Sequence, residues 1–199
     1  FIILSVNCYF ISNTFALGGV LSATIVESKV QYKKAYFAGG CFWCMEESFD
    51  NVKGVIKSIS GYSGGHTKNP TYKQVVYKDT GHVEAITVFY DPNLTSYEKL
   101  LKVFWLNIDP FDASGQFCDK GKSYRSVVFY ENLNQKKIIQ SSILDIEKKF
   151  DKKKVVTLVW KFKKFYPAED YHQDYYQNNF LRYLAYKPGC QREEILNKI

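Results

Sequence analysis

Two cysteines stand three positions apart directly after a glycine pair, in the segment Gly39-Gly40-Cys41-Phe42-Trp43-Cys44. Apolar residues then recur at three- and four-residue steps, which predicts an amphipathic helix from Cys41 to Gly54. The free N–H groups and the macrodipole at a helix N-terminus favour thiolate over thiol. We therefore expect Cys41 to be a nucleophile with a lowered pKa. A buried structural cysteine is the alternative.

A carboxylate lies inside a regular apolar segment, residues 83–90. The segment predicts a strand buried on both faces, with Glu84 on the same face as Ile86 and Val88. Burial raises the pKa of a carboxyl group, so we expect Glu84 to hold a proton near neutral pH and to donate it to a reacting oxygen. A solvent-exposed carboxylate at the strand end is the alternative.

Short strands and helices position these residues without strict alternation. Residues 110–124 form a predicted loop whose length indicates a functional role. A capping box is predicted from Thr95 and Glu98. Strands are predicted at 36–38, 55–62, 83–90, 125–130 and 155–162, and helices after Thr95, over 139–150 and from Pro167 to about Leu184. This order indicates an α+β fold, a sheet covered by helices.

The composition supports a single catalytic domain. The chain has 199 residues, of which 46% are hydrophobic, and no repeat or linker divides it. Its net charge is +7, but only three of its 27 lysine and arginine residues are arginine. Arginine is the residue preferred for bidentate contacts with phosphates and bases. We therefore interpret the lysine-rich stretch at 148–164 as solvated surface and expect no nucleic-acid partner.

The first residues are apolar as far as Ile11 and are followed by small residues up to Ala16, a pattern typical of an export signal. Asn7 and residues 12–14 interrupt the run of about 20 apolar residues that a membrane-spanning helix needs. We predict a signal peptide over residues 1–23, a catalytic domain over 24–199, and export to the periplasm or the exterior. A membrane anchor and a cytoplasmic location are the alternatives.

Six segments together resemble the peptide methionine sulfoxide reductase family of the A type, in that family's order and from about residue 33 to the C-terminus. They are Gly40-Cys41-Phe42-Trp43, Gly61-Tyr62-Ser63-Gly64-Gly65, Asn69-Pro70-Thr71-Tyr72, Gly81-His82-Val83-Glu84, Tyr124-Arg125-Ser126 and Ala168-Glu169-Asp170-Tyr171-His172-Gln173. The resemblance implies a ferredoxin-like two-layer sandwich, a single domain with long functional loops. It also implies reduction of the S epimer of methionine sulfoxide, free or protein-bound, in protein repair under oxidative stress.

The resemblance also implies roles for individual residues. Cys41 is the nucleophile and Glu84 the proton donor. Tyr72 and Tyr124 donate hydrogen bonds to the sulfoxide oxygen, and Phe42 and Trp43 form the wall that receives the substrate methyl group. Asp119 matches a position near the oxygen-binding tyrosine. His172 lies in a matching segment, but we leave it outside the catalytic set because a lone histidine on a helix is more often structural.

Attack on the sulfoxide leaves Cys41 as a sulfenic acid, which a second thiol must resolve. Cys44 is our first choice because it lies one turn along the same helix. Cys190, in a tail that loosely resembles the family's final segment, is the second choice, and Cys118 is expected to serve in packing. The resulting disulfide would pass to thioredoxin or a thioredoxin-like reductant. We expect a monomer with no cofactor and no metal.

Two other classes of function use some of the same residues. A general thiol–disulfide oxidoreductase would need only Cys41 and Cys44. A zinc-stabilised binding module would draw its ligands from Cys41, Cys44, His66, His82, Cys118 or Cys190, although no second close pair exists.

Overall fold

The computed structural model describes residues 31–198, and the signal peptide predicted for residues 1–23 lies outside them. The strands are β1 (Lys33–Ala38), β2 (Val55–Ser63), β3 (Val83–Tyr90), β4 (Gly115–Gln116), β5 (Asp119–Lys120), β6 (Val127–Tyr130), β7 (Leu158–Lys161) and β8 (Phe165–Pro167). The helices are α1 (Phe42–Asp50), α2 (Tyr72–Tyr77), α3 (Tyr97–Trp105), α4 (Leu133–Lys149), α5 (Tyr175–Asn178), α6 (Phe180–Gly189) and α7 (Arg192–Leu196), with 3-10 turns at Lys122–Tyr124 and Asp170–His172. Within this part of the chain, no helix combines the length and the apolar composition needed to span a membrane.

Six strands form one mixed sheet in the order β7-β6-β1-β3-β2-β8. Only β6 and β7 among these neighbours are parallel; the other pairs are antiparallel. The four central strands, joined by crossover helices α1 and α3, follow a β-α-β-β-α-β order. The predicted α+β class is confirmed, and the order of the central strands is compatible with the ferredoxin-like sandwich.

Both faces of the central strands are covered. Helices α1, α3 and α4 contribute to the main core, where the Phe37 ring stacks at 5.0 Å on Phe49 and at 5.4 Å on Phe104. On the opposite face, Phe162 stacks on Tyr36 at 3.7 Å. Strand β3 is therefore buried on both faces, as predicted, and the side chain of Glu84 is removed from bulk water.

One prediction about a helix start is wrong, and one helix was not predicted. The side chain of Ser96, rather than Thr95, accepts the Lys99 N–H, so the predicted capping box at Thr95 does not form. The unpredicted helix is α2, which follows Thr71 and whose capping box is formed by Thr71 and Gln74. In both cases the hydroxyl that reaches the third backbone N–H of the helix determines where the helix begins.

The helix predicted from Pro167 to Leu184 is also wrong. Pro167 ends β8, and a 3-10 turn, α5 and α6 follow in its place. Asp174 takes a left-handed backbone conformation with φ 50°, which separates the 3-10 turn from α5. The predicted loop at 110–124 contains the two-stranded β4–β5 hairpin, and α1 ends at Asp50, before Gly54.

Candidate active site

Cys41 lies at the sharp turn between β1 and α1, where it is the N-cap residue of the helix. Gly40 makes the turn with φ +80°, and a Cβ atom there would lie 2.6 Å from the Cβ of Gln116. The buried Gln116 side chain is itself fixed, since its Oε1 accepts the Asp109 N–H at 2.7 Å and its Nε2 donates to the Asp109 carbonyl at 2.9 Å. The position of Cys41 therefore depends on the positive φ of Gly40 and on the loop that holds Gln116 in place.

The thiols of Cys41 and Cys44 are both free and buried at the start of α1. Cys41 is 5% exposed and Cys44 is 2% exposed. Burial, followed by the effect of the neighbouring Cys44 thiol, raises the pKa of Cys41 well above its ordinary value. The predicted lowering of the Cys41 pKa is wrong for this closed arrangement, because the loss of water outweighs the helix N-terminus.

Glu84 lies beside the nucleophile because β1 and β3 run antiparallel, so the end of β1 meets the start of β3. The carboxyl group is 2% exposed, and its Oε2 accepts the backbone N–H of Phe42 at 3.0 Å. Burial raises the pKa of Glu84 well above its ordinary value. The direction of this shift agrees with the expected proton donor, and the protonation of Glu84 near neutral pH stays a prediction.

The hydroxyl groups of Tyr72 and Tyr124 lie 3.5 Å apart, although the two residues belong to different elements. Burial, followed by the nearby Glu84 charge, raises the pKa of Tyr72 to about 12 and also raises that of Tyr124. Both hydroxyls therefore stay neutral at physiological pH and can donate to an oxygen atom placed between them and Glu84.

Phe42, Trp43 and His172 form an aromatic wall next to these hydroxyls. The Trp43 indole N–H donates to His172 Nδ1 at 3.2 Å, and the His172 ring lies 4.9 Å from Phe42 and 4.5 Å from Tyr72. Burial lowers the pKa of His172, so the ring is neutral. Its Nε2 has no hydrogen-bond partner among the described residues. His172, which we leave outside the catalytic set, is therefore part of the wall of the site.

A C-terminal cover, which we define as α5 and α6, closes the site. Tyr175 stacks on Trp43 at 3.7 Å, and Tyr183 packs against the two thiols. The Tyr186 hydroxyl donates to Asp119 at 2.5 Å. The sequence pattern did not place these tyrosines at the site, because it predicted one continuous helix in place of the break between the 3-10 turn, α5 and α6. Cys41 is buried beneath this cover.

Asp119 was expected beside a tyrosine that binds the sulfoxide oxygen. Its direct hydrogen-bond partner is instead Tyr186 of the cover. Burial raises the pKa of Asp119, and its charge acts on Cys41, Glu84 and Tyr124. Asp119 therefore affects the site through its charge and through its hydrogen bond with Tyr186 of the cover.

Cys118 and Cys190 form a disulfide across 72 positions of sequence. The expectation that Cys118 serves in packing is wrong, because Cys118 is exposed and covalently bonded, whereas Cys190 is buried. Among residues 31–198, Cys118, Asp119 and Cys190 are also the only grouped set of potential metal ligands, but the disulfide occupies both sulfurs. His82, considered for zinc, uses Nδ1 to accept the Gly65 N–H and Nε2 to reach the Thr67 carbonyl.

Comparisons with known proteins point in the same direction as this geometry. A family model described as peptide methionine sulfoxide reductase matches residues 33–199. A peptide methionine sulfoxide reductase MsrA of Listeria monocytogenes is 49% identical over 172 residues, covering 85% of this chain and 97% of the relative. One from Bacillus licheniformis is 47% identical over 165 residues, covering 82% and 91%.

Two solved structures share the fold. Mxr1 from Saccharomyces cerevisiae in its reduced form has a TM-score of 0.70 at 28% identity, covering 79% of this chain and 91% of that chain. Methionine sulfoxide reductase A of Corynebacterium diphtheriae has a TM-score of 0.68 at 27% identity, covering 75% and 76%.

Proposed function

Because the chain belongs to the peptide methionine sulfoxide reductase family, we propose that its closed site reduces the S epimer of methionine sulfoxide, with Cys41 as nucleophile and Glu84 as proton donor. The observation that carries this assignment of roles is the buried Glu84 carboxyl, which accepts the N–H of Phe42, the residue next to Cys41, and whose pKa burial raises. A general thiol–disulfide exchanger needs no such acid. Reduction of a sulfoxide does need an acid, because the oxygen accepts a proton as its bond to the substrate sulfur breaks.

In the first step, the Cys41 sulfur attacks the substrate sulfur and Glu84 gives its proton to the sulfoxide oxygen. The oxygen is transferred to Cys41, which becomes a sulfenic acid, and methionine is released. Tyr72 and Tyr124 supply neutral donors that hold the oxygen throughout. With the oxygen fixed there and the methyl group against the Phe42 and Trp43 rings, the third substituent of sulfur can leave the site in one direction only, which selects one epimer.

In the second step, the Cys44 sulfur attacks the Cys41 sulfenic acid, a disulfide forms and water leaves. The position of both free thiols at the start of α1 supports this choice, since loop closure costs least for such a short separation. Cys190 is the weaker candidate because it is already bonded to Cys118.

We further propose that the outer pair, Cys118 and Cys190, returns the inner pair to the reduced state. Exchange between the Cys41–Cys44 disulfide and an outer dithiol would regenerate both inner thiols and leave the Cys118–Cys190 disulfide, which is the arrangement found here. Cys118 is exposed and Cys41 is not. A thioredoxin-like dithiol would therefore reduce the outer disulfide, which it can reach without displacing the C-terminal cover.

Separated sulfoxide epimers and dithiothreitol test the activity. We expect turnover of the S epimer, free or in peptides, little turnover of the R epimer, and no turnover by Cys41→Ser. Equal rates with both epimers, or turnover by the variant above background, would contradict the assignment.

Mass spectrometry of the fully reduced protein after one equivalent of substrate tests the order of disulfides. A Cys41–Cys44 peptide should appear first, followed by Cys118–Cys190. A dominant Cys41–Cys190 or Cys41–Cys118 peptide at the earliest time would show that Cys44 is not the resolving cysteine.

A further inference from the structure

The outer pair, Cys118 and Cys190, has a third metal-ligating side chain beside it, the carboxylate of Asp119. The two sulfurs and a carboxylate oxygen of Asp119 all lie within 4.8 Å of one another. The thiolate, rather than the disulfide, is the form of cysteine that binds metals. The three side chains therefore become a complete ligand set only when the outer pair is reduced.

Secondary structure holds this set from two sides. Cys118 and Asp119 lie in the β4–β5 hairpin, where Gln116 pairs with Asp119. Cys190 is the C-cap residue of α6, and its N–H donates to the carbonyl of Tyr186. The Cα atoms of Cys118 and Cys190 are 4.7 Å apart. The negative end of the helix dipole at Cys190 also favours a cation.

The spacing suits a tetrahedral zinc ion. Zn–S bonds of about 2.3 Å place two sulfurs about 3.8 Å apart on a tetrahedron, and Zn–O bonds are about 2.0–2.2 Å long. Once the S–S bond is broken, side-chain rotation alone can give two cysteines with this Cα spacing that separation. Asp119 would be the third ligand. Water would be the fourth, because Cys118 is exposed.

The Asp119 carboxylate is oriented for this role. One oxygen, Oδ2, accepts the Tyr186 hydroxyl at 2.5 Å, which leaves the other oxygen for a metal. Carboxylates that bind metals are commonly held by such an outer hydrogen bond. The adjacent cation, Lys120, pairs with the carboxylate of Asp112 instead.

We propose that the reduced outer pair and Asp119 bind one zinc ion or another thiophilic divalent cation. A thioredoxin-like dithiol gives two electrons and two protons to the Cys118–Cys190 disulfide and is itself oxidised to a disulfide. The two thiols then release both protons as they bind the metal as thiolates, and no further electron moves. The metal and the disulfide thus compete for the same two sulfurs.

Bound metal would stop the recycling of the inner pair. This consequence rests on the proposed function, in which the outer dithiol reduces the Cys41–Cys44 disulfide. Sulfurs that are held as metal ligands are not free to attack that disulfide. The first turnover therefore proceeds in the metal-bound protein, and the inner pair stays oxidised afterwards.

Metal binding by the full chain tests the site without any substrate. The protein is reduced with a phosphine, desalted without oxygen and titrated with Co²⁺, whose thiolate complexes absorb in the near ultraviolet. Zn²⁺ should then displace the cobalt, whereas Mg²⁺ should not, because thiolate ligands select zinc over magnesium. We expect one metal ion per reduced chain and none per oxidised chain.

Variants locate the ligands. Cys118→Ser should abolish the cobalt–thiolate band. Asp119→Asn and Tyr186→Phe should each lower the zinc affinity by about 10- to 100-fold, and both leave the two sulfurs unchanged. Together they keep the test decisive if Cys118→Ser does not fold.

Three matched controls should bind one metal ion with wild-type affinity. Cys44→Ser breaks the inner pair, Asp145→Asn removes an exposed carboxylate of α4, and Cys8→Ser removes the cysteine outside the described residues. Binding that survives Cys118→Ser or is lost in Cys44→Ser would overturn the proposal. Absence of binding by the reduced wild-type chain would overturn it as well.

Mass spectrometry then tests the effect on recycling. Reduced protein loaded with zinc and given one equivalent of the S sulfoxide should release methionine and retain the Cys41–Cys44 disulfide. The metal-free protein should continue to Cys118–Cys190. Formation of the outer disulfide at the metal-free rate, or loss of the first turnover, would contradict this role of the metal. A failure of the metal-free reaction would refute the proposed function and leave the cobalt titration unaffected.

Discussion

Replacing Glu84 with glutamine removes a transferable proton while preserving most of the contacts of this side chain. In the folded protein, Oε2 of Glu84 accepts the Phe42 N–H at 3.0 Å, and the amide oxygen of the variant can accept the same bond. The amide N–H still donates a hydrogen bond but does not release a proton at neutral pH. General acid catalysis contributes about 10²- to 10⁴-fold to a rate, equivalent to about 3–5 kcal/mol of transition-state free energy. We expect Glu84→Gln to lose a factor in this range.

A rapid-quench experiment measures the loss directly. Reduced enzyme in excess over the S sulfoxide is stopped at intervals, and the methionine released in the first turnover is quantified. Because burial raises the pKa of Glu84, the carboxyl is protonated below that raised pKa and ionised above it. The wild-type rate should therefore fall as the pH rises through the raised pKa, whereas the slow rate of the variant should lack this limb.

The matched control is Glu98→Gln, which changes an exposed carboxyl on α3. It should turn over at the wild-type rate. If Glu84→Gln also formed methionine within about threefold of the wild-type rate, a loss below the range expected for a general acid, Glu84 would not be the proton donor and the reasoning from its burial would be refuted.

Three further changes test the fold and the site. Gly40→Ala should lower the free energy of unfolding in urea by about 1–3 kcal/mol, because the residue has φ +80° and its new Cβ would meet Gln116. Glu46 is 1% exposed, and its oxygens lack hydrogen bonds within the described chain. Burial raises the pKa of Glu46 to about 8, so folding stability should fall as the pH rises from about 4 to 8. Glu46→Gln should remove this slope and gain on the order of 2–4 kcal/mol at the alkaline end, as pH-dependent urea unfolding would reveal. Tyr124→Phe should slow first-turnover methionine release about 10²-fold by removing one donor to the oxygen.

Cys41 and Glu84 could be selected from the sequence because each lies in a local pattern, whereas their pairing in space depends on the β1–β3 register. Residues 83–90 are apolar on both faces and form β3 with the predicted bounds. Burial of that strand raises the pKa of Glu84. The capping box of Thr71 and Gln74 was also visible in the sequence, so missing α2 was an oversight of a known signal.

The raised pKa of Cys41 could not be predicted from the sequence around it. A helix N-terminus favours a thiolate, but the tyrosines that exclude water from Cys41 come from a segment more than 130 positions away. The path of that segment depends on the left-handed backbone conformation of Asp174, which hydrophobic periodicity does not predict. The Cys118–Cys190 bond likewise joins positions that spacing alone could not pair.

The outer disulfide has a thermodynamic consequence beyond electron transfer. A cross-link between residues 72 positions apart removes conformational freedom from the unfolded chain, and in the chain-entropy description this stabilises the native state by about 4 kcal/mol at 25 °C. That contribution disappears whenever the outer pair is reduced. Thermal unfolding of the two redox forms should therefore occur at different temperatures, with the oxidised form melting later. We expect the protein to resist unfolding best when the supply of reducing equivalents has run out, and so to survive until that supply returns.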